Sequence, residues 1–491
     1  MKGGAKAVDA AQETAVLRTA METVLKAQRE AVLAESPVPA AARIDRLDRA
    51  RALLVSHRDT LADAMAEDFR GRPRLMSLFS DIAPSVKALA FARKHVRRWM
   101  RPERRRLEFP LGLLGAKAWI EYQPKGVVGL ISPWNFPVNL TFAPLAGILA
   151  AGNRVMIKPS EITPVTSDTM ARLIRDYFDE TEIAVISGGP EAGQVFSALP
   201  FDHLLFTGAT AIGRHVMRAA ADNLTPVTLE LGGKSPVIVS RTADLAATAR
   251  RVIIGKMMNA GQICLAPDYM LLPEEEVAPA VEALAAAATA FYPTVKTNPD
   301  YTPIVNARHK ARLMAHVADA RRKGARITVV NPAGEDFTAD ENSTVLPLHV
   351  LCDVDDGMTV MQEEIFGPLL PIVPYRTIED AIAYVNARPR PLGLYYFGRD
   401  PEEERRVLDR TVSGGVTLGD VLWHVAHEDL PFGGIGPSGM GVYHGRDGFR
   451  TFSHAKSVYR QSRLNIGRLI GAEPPYGERL RKVVGMQIRK S

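Results

Sequence analysis

Cysteine is nearly absent from this sequence, with two residues among 491. Two thiols cannot build a disulfide framework or a cysteine-rich zinc site. The sequence therefore excludes small disulfide-stapled folds, and we predict no metal site. Such cysteine usage is typical of a reducing compartment, and we predict a cytoplasmic location.

Long apolar runs are also missing. No stretch approaches the 18 apolar residues that a transmembrane helix needs, so we predict no membrane span. The N-terminus has no apolar signal-peptide core, and Asp9, Glu13 and Glu22 argue against a transit peptide. Residues 1–35, rich in Ala, Glu and Lys, are predicted to form a helical leader.

The sequence has only a small excess of basic over acidic residues, with a net charge of +6. Basic residues concentrate in segments 93–98 and 101–106, but no aromatic stacking platform accompanies them. A solvated helix end and a connector account for these segments, and we predict no nucleic-acid partner.

From residue 126 onward, short apolar runs alternate with helical stretches, which indicates an α/β fold with mostly parallel, doubly wound sheets. A second series of the same design starts near residue 230, so we predict two αβ lobes. The first comprises residues 36–101 and 124–228, with 416–445 returning to it, and the second comprises 229–415. Residues 102–123 and 446–491 form a small β element, whose hairpin is predicted at 107–109 and 118–122.

Cys264 follows the small and polar residues of segment 259–262, at the end of a predicted helix. A buried structural thiol is one interpretation of a lone cysteine. A loop position and partial exposure instead favour a reactive thiol. Cys352 lies in an apolar strand at 345–354 and is predicted to belong to the core.

Two polar side chains accompany this thiol as candidates for catalysis. Glu230 lies inside an apolar strand before a double glycine, where a raised pKa suits a general base. An ion pair with Lys234 is the alternative. Asn135 lies between prolines and aromatics and could stabilise an oxyanion, or else serve as a helix N-cap.

Two glycine-containing segments suggest a cofactor. Residues 206–213 join a strand to a helix, whose N-terminus can receive a pyrophosphate, although an ordinary turn fits equally and the G-x-G-x-x-G spacing is absent. Residues 363–368 carry two acids and an aromatic, which could bind ribose hydroxyls or form a solvated turn.

Together these stretches resemble the NAD(P)-dependent aldehyde dehydrogenase superfamily. The matching motifs are PWNFP at 133–137, KPSE at 158–161, FTGATAIG at 206–213, LELGGK at 229–234, NAGQIC at 259–264, EEIFGP at 363–368 and FGGIGPSGMGVYHG at 432–445. The resemblance covers most of the chain and implies a cofactor-binding lobe, a catalytic lobe and a β oligomerisation element. It further implies oxidation of an aldehyde to the acid through a cysteine thiohemiacetal and thioester.

The same resemblance implies roles for individual residues. Cys264 becomes the nucleophile, Glu230 the general base and Asn135 the oxyanion donor. Lys158 and Glu161 would hold the adenosine ribose, and Glu364 the nicotinamide ribose with Phe366 beside the ring. The remaining cofactor contacts would be Trp134, Gly189, Phe206, Gly208 and Gly213.

Within the family, NAGQICLAPDY and the ending around residues 451–454 resemble the class 3-like branch, and residues 133–161 resemble coniferyl aldehyde dehydrogenases. That branch implies an aromatic or fatty aldehyde and a homodimer. Glu161 should repel a 2′-phosphate, which favours NAD with NADP as the alternative, while Ala209 replaces a serine common in relatives. Other interpretations are a long-chain fatty aldehyde dehydrogenase, a CoA-acylating dehydrogenase, disfavoured by Glu230, and a non-catalytic relative.

Overall fold

The computed structural model describes residues 2–109, 111–337 and 343–488. Two mostly parallel sheets, each flanked by helices, lie beside a three-stranded antiparallel sheet. This architecture confirms the predicted α/β fold with two doubly wound lobes and a small β element.

The first sheet has six strands whose central members are short apolar runs. Val127–Ile131, for example, is buried except at its last residue, as expected of a parallel strand covered on both faces. In spatial order the strands are Gly439–Met440, Val227–Leu231, His203–Gly208, Val127–Ile131, Arg154–Lys158 and Ile183–Val185. All neighbours pair in parallel except Gly439–Met440, which runs antiparallel to Val227–Leu231.

Helices cover both faces of this sheet. The long helix Lys2–Glu35 packs against Pro190–Ser197, and Met21 and Leu25 are buried there. Gln28 Nε2 donates to the carbonyls of Val155 and Glu180, so the predicted leader is a helix packed onto the lobe. The other helices of this lobe are Ala40–Ser56, Arg58–Asp68, Arg74–Ser77, a π-helical turn Leu78–Ile82, Ala83–Trp99, Asn139–Ala151, Pro164–Tyr177, Thr210–Ala221 and Gly445–Thr451.

One helical stretch among the described residues, Arg74–Trp99, is long and apolar enough to cross a membrane by length and composition alone. Its second part packs against Ala40–Ser56 and Asn139–Ala151. Leu89, Val96 and Trp99 are buried in that interface. Core helices pass the same length and composition test, which makes it weak support for a membrane span.

The second sheet has seven strands, and the buried apolar residues around it form one cluster. Their spatial order is Arg326–Val330, Leu348–Cys352, Leu369–Tyr375, Pro267–Pro273, Ser235–Val239, Gly393–Phe397 and Gly415–Leu418. Its helices and helical turns are Leu245–Met257, Met258–Gly261, Glu274–Glu276, Val277–Phe291, Ala307–Arg322, Thr359–Gln362, Ile378–Asn386, Pro401–Arg410 and Trp423–Ala426. Asp244, Asn306, Thr377 and Asp400 cap helix N-termini with their side chains, which satisfies free backbone N–H groups.

Sheet membership differs slightly from the predicted boundaries. Val227–Leu231 belongs to the first sheet, so the chain changes sheets after Leu231 and not at residue 228. Gly415–Leu418 belongs to the second sheet, so the return to the first lobe follows this strand. The boundaries differ because each strand stays with its hydrogen-bonded neighbour.

The small sheet consists of Glu103–Arg105, Lys117–Pro124 and Ser453–Arg460. The first strand of the predicted hairpin is therefore Glu103–Arg105, and the expected strand at 107–109 was wrong. Glu103 accepts hydrogen bonds from Tyr122 and Arg450, which hold this edge in place. The chain ends in two short helices, Ile466–Ile470 and Glu478–Gln487.

Candidate active site

A cavity of about 480 Å³ lies at the carboxyl ends of the strands, between the two lobes. Ligands of doubly wound sheets bind at this edge, and the volume suits a small-molecule site. Seven of the residues singled out from the sequence line it: Trp134, Asn135, Gly208, Glu230, Cys264, Glu364 and Phe366.

The cysteine lies after a sharp turn at the end of helix Leu245–Met257. Asn259, Ala260 and Gly261 have successive φ values of 48°, 52° and 75°, a left-handed conformation that costs energy at the two non-glycine residues. The turn leaves Cys264 partly exposed to the cavity, in contrast to the buried Cys352 in strand Leu348–Cys352. The preceding residues therefore fold into a loop that presents the thiol, as the sequence predicted.

A buried amide side chain holds that turn. Gln262 Nε2 donates to the Asn259 carbonyl at 2.8 Å and to the Pro303 carbonyl at 3.1 Å. Its Oε1 accepts the Val305 N–H at 2.9 Å. These bonds satisfy the amide in an interior where an unpaired polar group is costly, and they fix the backbone next to Cys264.

Asn135 is tied to the same turn. Its Nδ2 donates to the Gln262 carbonyl at 3.1 Å, and its own carbonyl accepts from Asn259 Nδ2 at 3.1 Å. An amide nitrogen carries two N–H groups, so one is left for a ligand. The helix-cap alternative is wrong, because the following helix begins at Asn139 with Val138 as its N-cap.

A buried ion pair behind Asn135 was missed by sequence reasoning. Arg72 and Asp81 approach to 2.6 Å and both side chains are fully buried. Arg72 Nη1 also donates to the Asn135 carbonyl at 3.1 Å, and Asp81 accepts the Val138 and Asn139 N–H groups. No local pattern distinguishes this pair from surface charges, since only the fold buries it.

Glu230 lies near the end of strand Val227–Leu231 with 1% of its surface exposed. Burial raises its pKa to about 8, and the nearby Cys264 thiol opposes this slightly. Neither carboxyl oxygen has a hydrogen-bond partner of ordinary distance and angle. The predicted alternative, an ion pair with Lys234, is wrong because the Lys234 ammonium binds Asp268.

Glu364 is a second carboxyl in the cavity. Burial and the neighbouring Asp268 raise its pKa to about 8, while the Gly233 N–H lowers it. Its carboxyl lies so close to the Gly232 Cα that a methyl group there would overlap it. Burial also raises the pKa of the Cys264 thiol well above its ordinary value, with further contributions from the charges of Glu230 and Glu364.

Arg312, on helix Ala307–Arg322, is another cavity residue that the sequence did not reveal. Its guanidinium donates to the carbonyls of Glu364 at 3.2 Å and Ile365 at 2.6 Å. This contact fixes the loop that carries Glu364. The helix pattern around Arg312 resembles any solvated basic face and held no signal for this role.

Aromatic rings form another wall. The rings of Trp134 and Phe366 meet edge to face at 5.3 Å between centroids, and His309 lies 5.0 Å from Trp134. Phe366 adopts a φ of 51°, and burial lowers the pKa of His309 to about 4, so the imidazole is neutral at pH 7. The wall is therefore aromatic and largely uncharged.

The other predicted cofactor residues lie outside the cavity lining but at the same edge of the first sheet. Lys158 ends its strand, with its Nζ 3.5 Å from Glu161 Oε2. Gly189 precedes helix Pro190–Ser197, and the Phe206 ring packs against Gly208. Gly213 packs on Leu231, where an added Cβ would come within 2.6 Å.

These positions fit a dinucleotide. Ala209 is the N-cap of helix Thr210–Ala221 and has no side chain that could accept a hydrogen bond. The backbone N–H groups at the start of this helix therefore face the cavity without a side-chain cap. That arrangement suits a phosphate. Carboxylates such as Glu161 and Glu364 suit ribose hydroxyls. Within the described residues, no group of three or more His, Cys, Asp or Glu is arranged to hold a metal.

Comparison with known proteins agrees with this geometry. The aldehyde dehydrogenase family model matches residues 6–458. A probable coniferyl aldehyde dehydrogenase of Caulobacter vibrioides is 56% identical over 96% of this chain and 98% of its own. A coniferyl aldehyde dehydrogenase of Pseudomonas sp. strain HR199 is 53% identical, over 93% and 94%.

Solved structures share the fold. The substrate-bound state of Staphylococcus aureus AldH superposes with a TM-score of 0.88 at 36% identity, covering 95% of this chain and 99% of the other. A Mycobacterium tuberculosis aldehyde dehydrogenase complexed with NAD+ gives a TM-score of 0.79 at 29% identity, with 90% coverage of both.

The chain belongs to the aldehyde dehydrogenase family. It is an NAD(P)-dependent enzyme that oxidises an aldehyde to the carboxylic acid, as the motifs predicted.

Proposed function

We propose that this enzyme oxidises an aromatic, coniferaldehyde-like aldehyde, with Cys264 as nucleophile, Glu230 as general base and Asn135 as oxyanion donor. One observation carries the assignment of roles. A partly exposed thiol, a carboxyl with a raised pKa and an amide from three separate segments line one cavity between the lobes.

Each residue has a distinct task. The Cys264 thiol passes its proton to the adjacent Glu230 carboxylate, its sulfur adds to the aldehyde carbon, and Asn135 Nδ2 donates a hydrogen bond to the oxyanion that forms. The tether between Asn135 and Gln262 keeps donor and sulfur at a fixed separation. Once Glu230 has released that proton and the carbon has lost a hydride, for which bound NAD(P)+ would be the acceptor, Glu230 takes a proton from the water that hydrolyses the resulting thioester on Cys264.

The cofactor residues fit NAD(P)+, which supplies the hydride acceptor when bound. Lys158 and Glu161 would hold the adenosine ribose, and Glu364 the nicotinamide ribose with Phe366 and Trp134 nearby. Trp134, Gly189 and Phe206 would line the cofactor site, and Gly208 and Gly213 would bracket the turn on its phosphate side. The Glu161 carboxylate would repel a 2′-phosphate, so NAD is the preferred form.

The two coniferyl aldehyde dehydrogenase relatives support the substrate class, because they match this chain over nearly its whole length. The test is turnover of coniferaldehyde, benzaldehyde and decanal with NAD+ and NADP+, followed by absorbance of the reduced cofactor. We expect coniferaldehyde with NAD+ to give the highest kcat/KM. A higher value for decanal would assign the enzyme to long-chain fatty aldehydes instead.

We further propose that residues 36–101 and 124–231, with 419–445, bind the cofactor and that 232–418 form the catalytic domain, so that each strand stays with its own sheet. Residues 102–123 and 446–491 would join two copies into a homodimer. The long strand Ser453–Arg460 is exposed along most of its length, which supports this. Size-exclusion chromatography with light scattering tests the dimer.

Two free thiols support a cytoplasmic location.

A further inference from the structure

Glu428 is a buried carboxyl that the proposed reaction does not use. It follows the helical turn Trp423–Ala426 and has 9% of its surface exposed. Burial is the main cause of its pKa being raised to about 7. Among the residues that the structure describes, none donates a hydrogen bond to this carboxyl. A mostly buried acceptor that has no protein donor is only partly solvated, and a ligand donor would stabilise it further.

Lys87, the cation whose charge acts on Glu428, does not form an ion pair with it. Lys87 Nζ donates to the Ala426 carbonyl at 2.6 Å, and its charge only partly offsets the effect of burial on Glu428. The Nδ1 atom of the neighbouring His444 is also buried without a partner. Burial lowers the pKa of His444 to about 4, so its imidazole is neutral at pH 7 and cannot form an ion pair with the carboxylate.

An apolar wall connects this carboxyl with the nucleophile. Burial is the main cause of the raised pKa of Tyr443, and charges on Glu230, Cys264 and Glu428 raise it further. Tyr443 therefore lies within electrostatic range of both Cys264 and Glu428. The rings of Phe432 and Tyr443 meet at 5.5 Å. They belong to one apolar cluster that also includes Ile263 and Leu265, the chain neighbours of Cys264, and Leu422 and Val425, which precede Glu428.

Glu428 does not line the cavity assigned to the cofactor. Seen from Cys264, the Glu428 carboxyl lies on the far side of an apolar and aromatic wall. This arrangement matches a particular substrate shape. Coniferaldehyde carries its aldehyde at one end of a flat conjugated body and a phenolic hydroxyl at the other. That hydroxyl is a donor, and the carboxyl lacks one.

We propose that Glu428 accepts a hydrogen bond from the ring hydroxyl of an aromatic aldehyde whose carbonyl carbon lies at Cys264, and so selects hydroxylated aromatic aldehydes. This inference rests on the proposed function and adds the residue that binds the end of the substrate opposite the aldehyde. Glu428 is thus a specificity-determining residue, and it takes no part in the chemistry.

The first test compares coniferaldehyde with cinnamaldehyde, which lacks the ring substituents, in wild type, Glu428→Leu and Glu428→Gln. We expect Glu428→Leu to lose roughly 10- to 100-fold in kcat/KM for coniferaldehyde, the value of one hydrogen bond to a charged group. Cinnamaldehyde should change less than about threefold. Glu428→Gln keeps one acceptor oxygen and a similar shape, so its loss in kcat/KM for coniferaldehyde should be smaller than that of Glu428→Leu. The Glu428→Gln variant also provides the test if Glu428→Leu folds poorly.

Asp429→Asn is the matched control, because Asp429 is the exposed neighbouring carboxylate and should leave both substrates unaffected. Equal losses on coniferaldehyde and cinnamaldehyde in the Glu428 variants would mean a structural role and overturn the proposal.

A second measurement separates this proposal from the proposed function. Ferulate and cinnamate, the two acids, are compared as inhibitors of hexanal oxidation, which does not require turnover of coniferaldehyde. We expect ferulate to inhibit wild type about tenfold more strongly than cinnamate, and Glu428→Leu to remove that difference. If wild type binds ferulate more tightly than cinnamate but does not oxidise coniferaldehyde, the proposed substrate is wrong and the Glu428 subsite stands. If wild type does not distinguish ferulate from cinnamate, the Glu428 subsite is wrong.

Discussion

Asn135 Nδ2 and the Gln262 carbonyl are joined by a hydrogen bond of 3.1 Å. Gln262 is two residues before Cys264, and Asn135 follows a strand of the other lobe. The bond therefore links the proposed oxyanion donor directly to the backbone that carries the nucleophile. Asn259 Nδ2 donates to the carbonyls of both Asn135 and Gln262, so the two loops behave as one unit.

The buried Arg72–Asp81 pair should matter for stability and for activity. Arg72→Met leaves Asp81 as an uncompensated buried charge, and we expect the free energy of unfolding to fall by about 3–5 kcal/mol. Arg72→Met/Asp81→Leu should recover part of that loss in denaturant unfolding. Its kcat should stay low, because the Asn135 carbonyl has lost its Arg72 donor. Wild-type kcat in the double variant would show that the pair does not position Asn135.

The two cysteines provide a matched pair of variants. Cys264→Ala should reduce kcat by at least about 10³-fold with little change in melting temperature, because it removes the nucleophile from a partly exposed loop. Cys352→Ala should keep activity and lose about 1 kcal/mol of stability, because it shortens a buried side chain. Absorbance of reduced cofactor and thermal unfolding measure both effects. Equal activity in the two variants would contradict the assignment of the nucleophile.

Glu230 should control the pH dependence of thioester hydrolysis. A general base acts in its deprotonated form, and burial raises the pKa of Glu230 to about 8. The steady-state rate should therefore rise with pH through about 8 and level off above it. In Glu230→Gln we expect a burst of reduced cofactor followed by turnover roughly 10²–10⁴-fold slower. Rapid-mixing absorbance separates the phases, and normal steady-state turnover in Glu230→Gln would show that another group is the base.

Adjacent glycines test the position of Glu364. A methyl group at Gly232 would overlap the Glu364 carboxyl, whereas at Gly233 the nearest atom would be 3.5 Å away. We expect Gly232→Ala to raise KM for the cofactor or lower kcat by about tenfold or more. Gly233→Ala should stay close to wild type. Cofactor titration and steady-state kinetics measure both, and matching losses would indicate a general effect of stiffening the loop.

Local sequence was most informative where a motif and its secondary structure coincide. The strand ends before Trp134, after Lys158 and around Gly208 follow from apolar runs that stop at polar or glycine residues. Cys264 could be assigned to a loop because its neighbours are small and polar. The start of the small sheet could not be predicted, because Glu103–Arg105 is a three-residue, mostly exposed strand of charged residues, which leaves no apolar alternation to detect.

The sequence by itself determined the α/β class, the order of the motifs and the residues that carry the chemistry, because each depends on residues close along the chain. Only the tertiary structure decided which charges are buried. It paired Lys234 with Asp268 and left Glu230 unpaired, buried Arg72 behind Asn135, and brought Arg312 to the loop of Glu364. Burial and pairing depend on residues far apart along the chain, such as Lys234 and Asp268 at 34 positions and Arg72 and Asn135 at 63 positions. These contacts set the pKa values that the local motifs leave open.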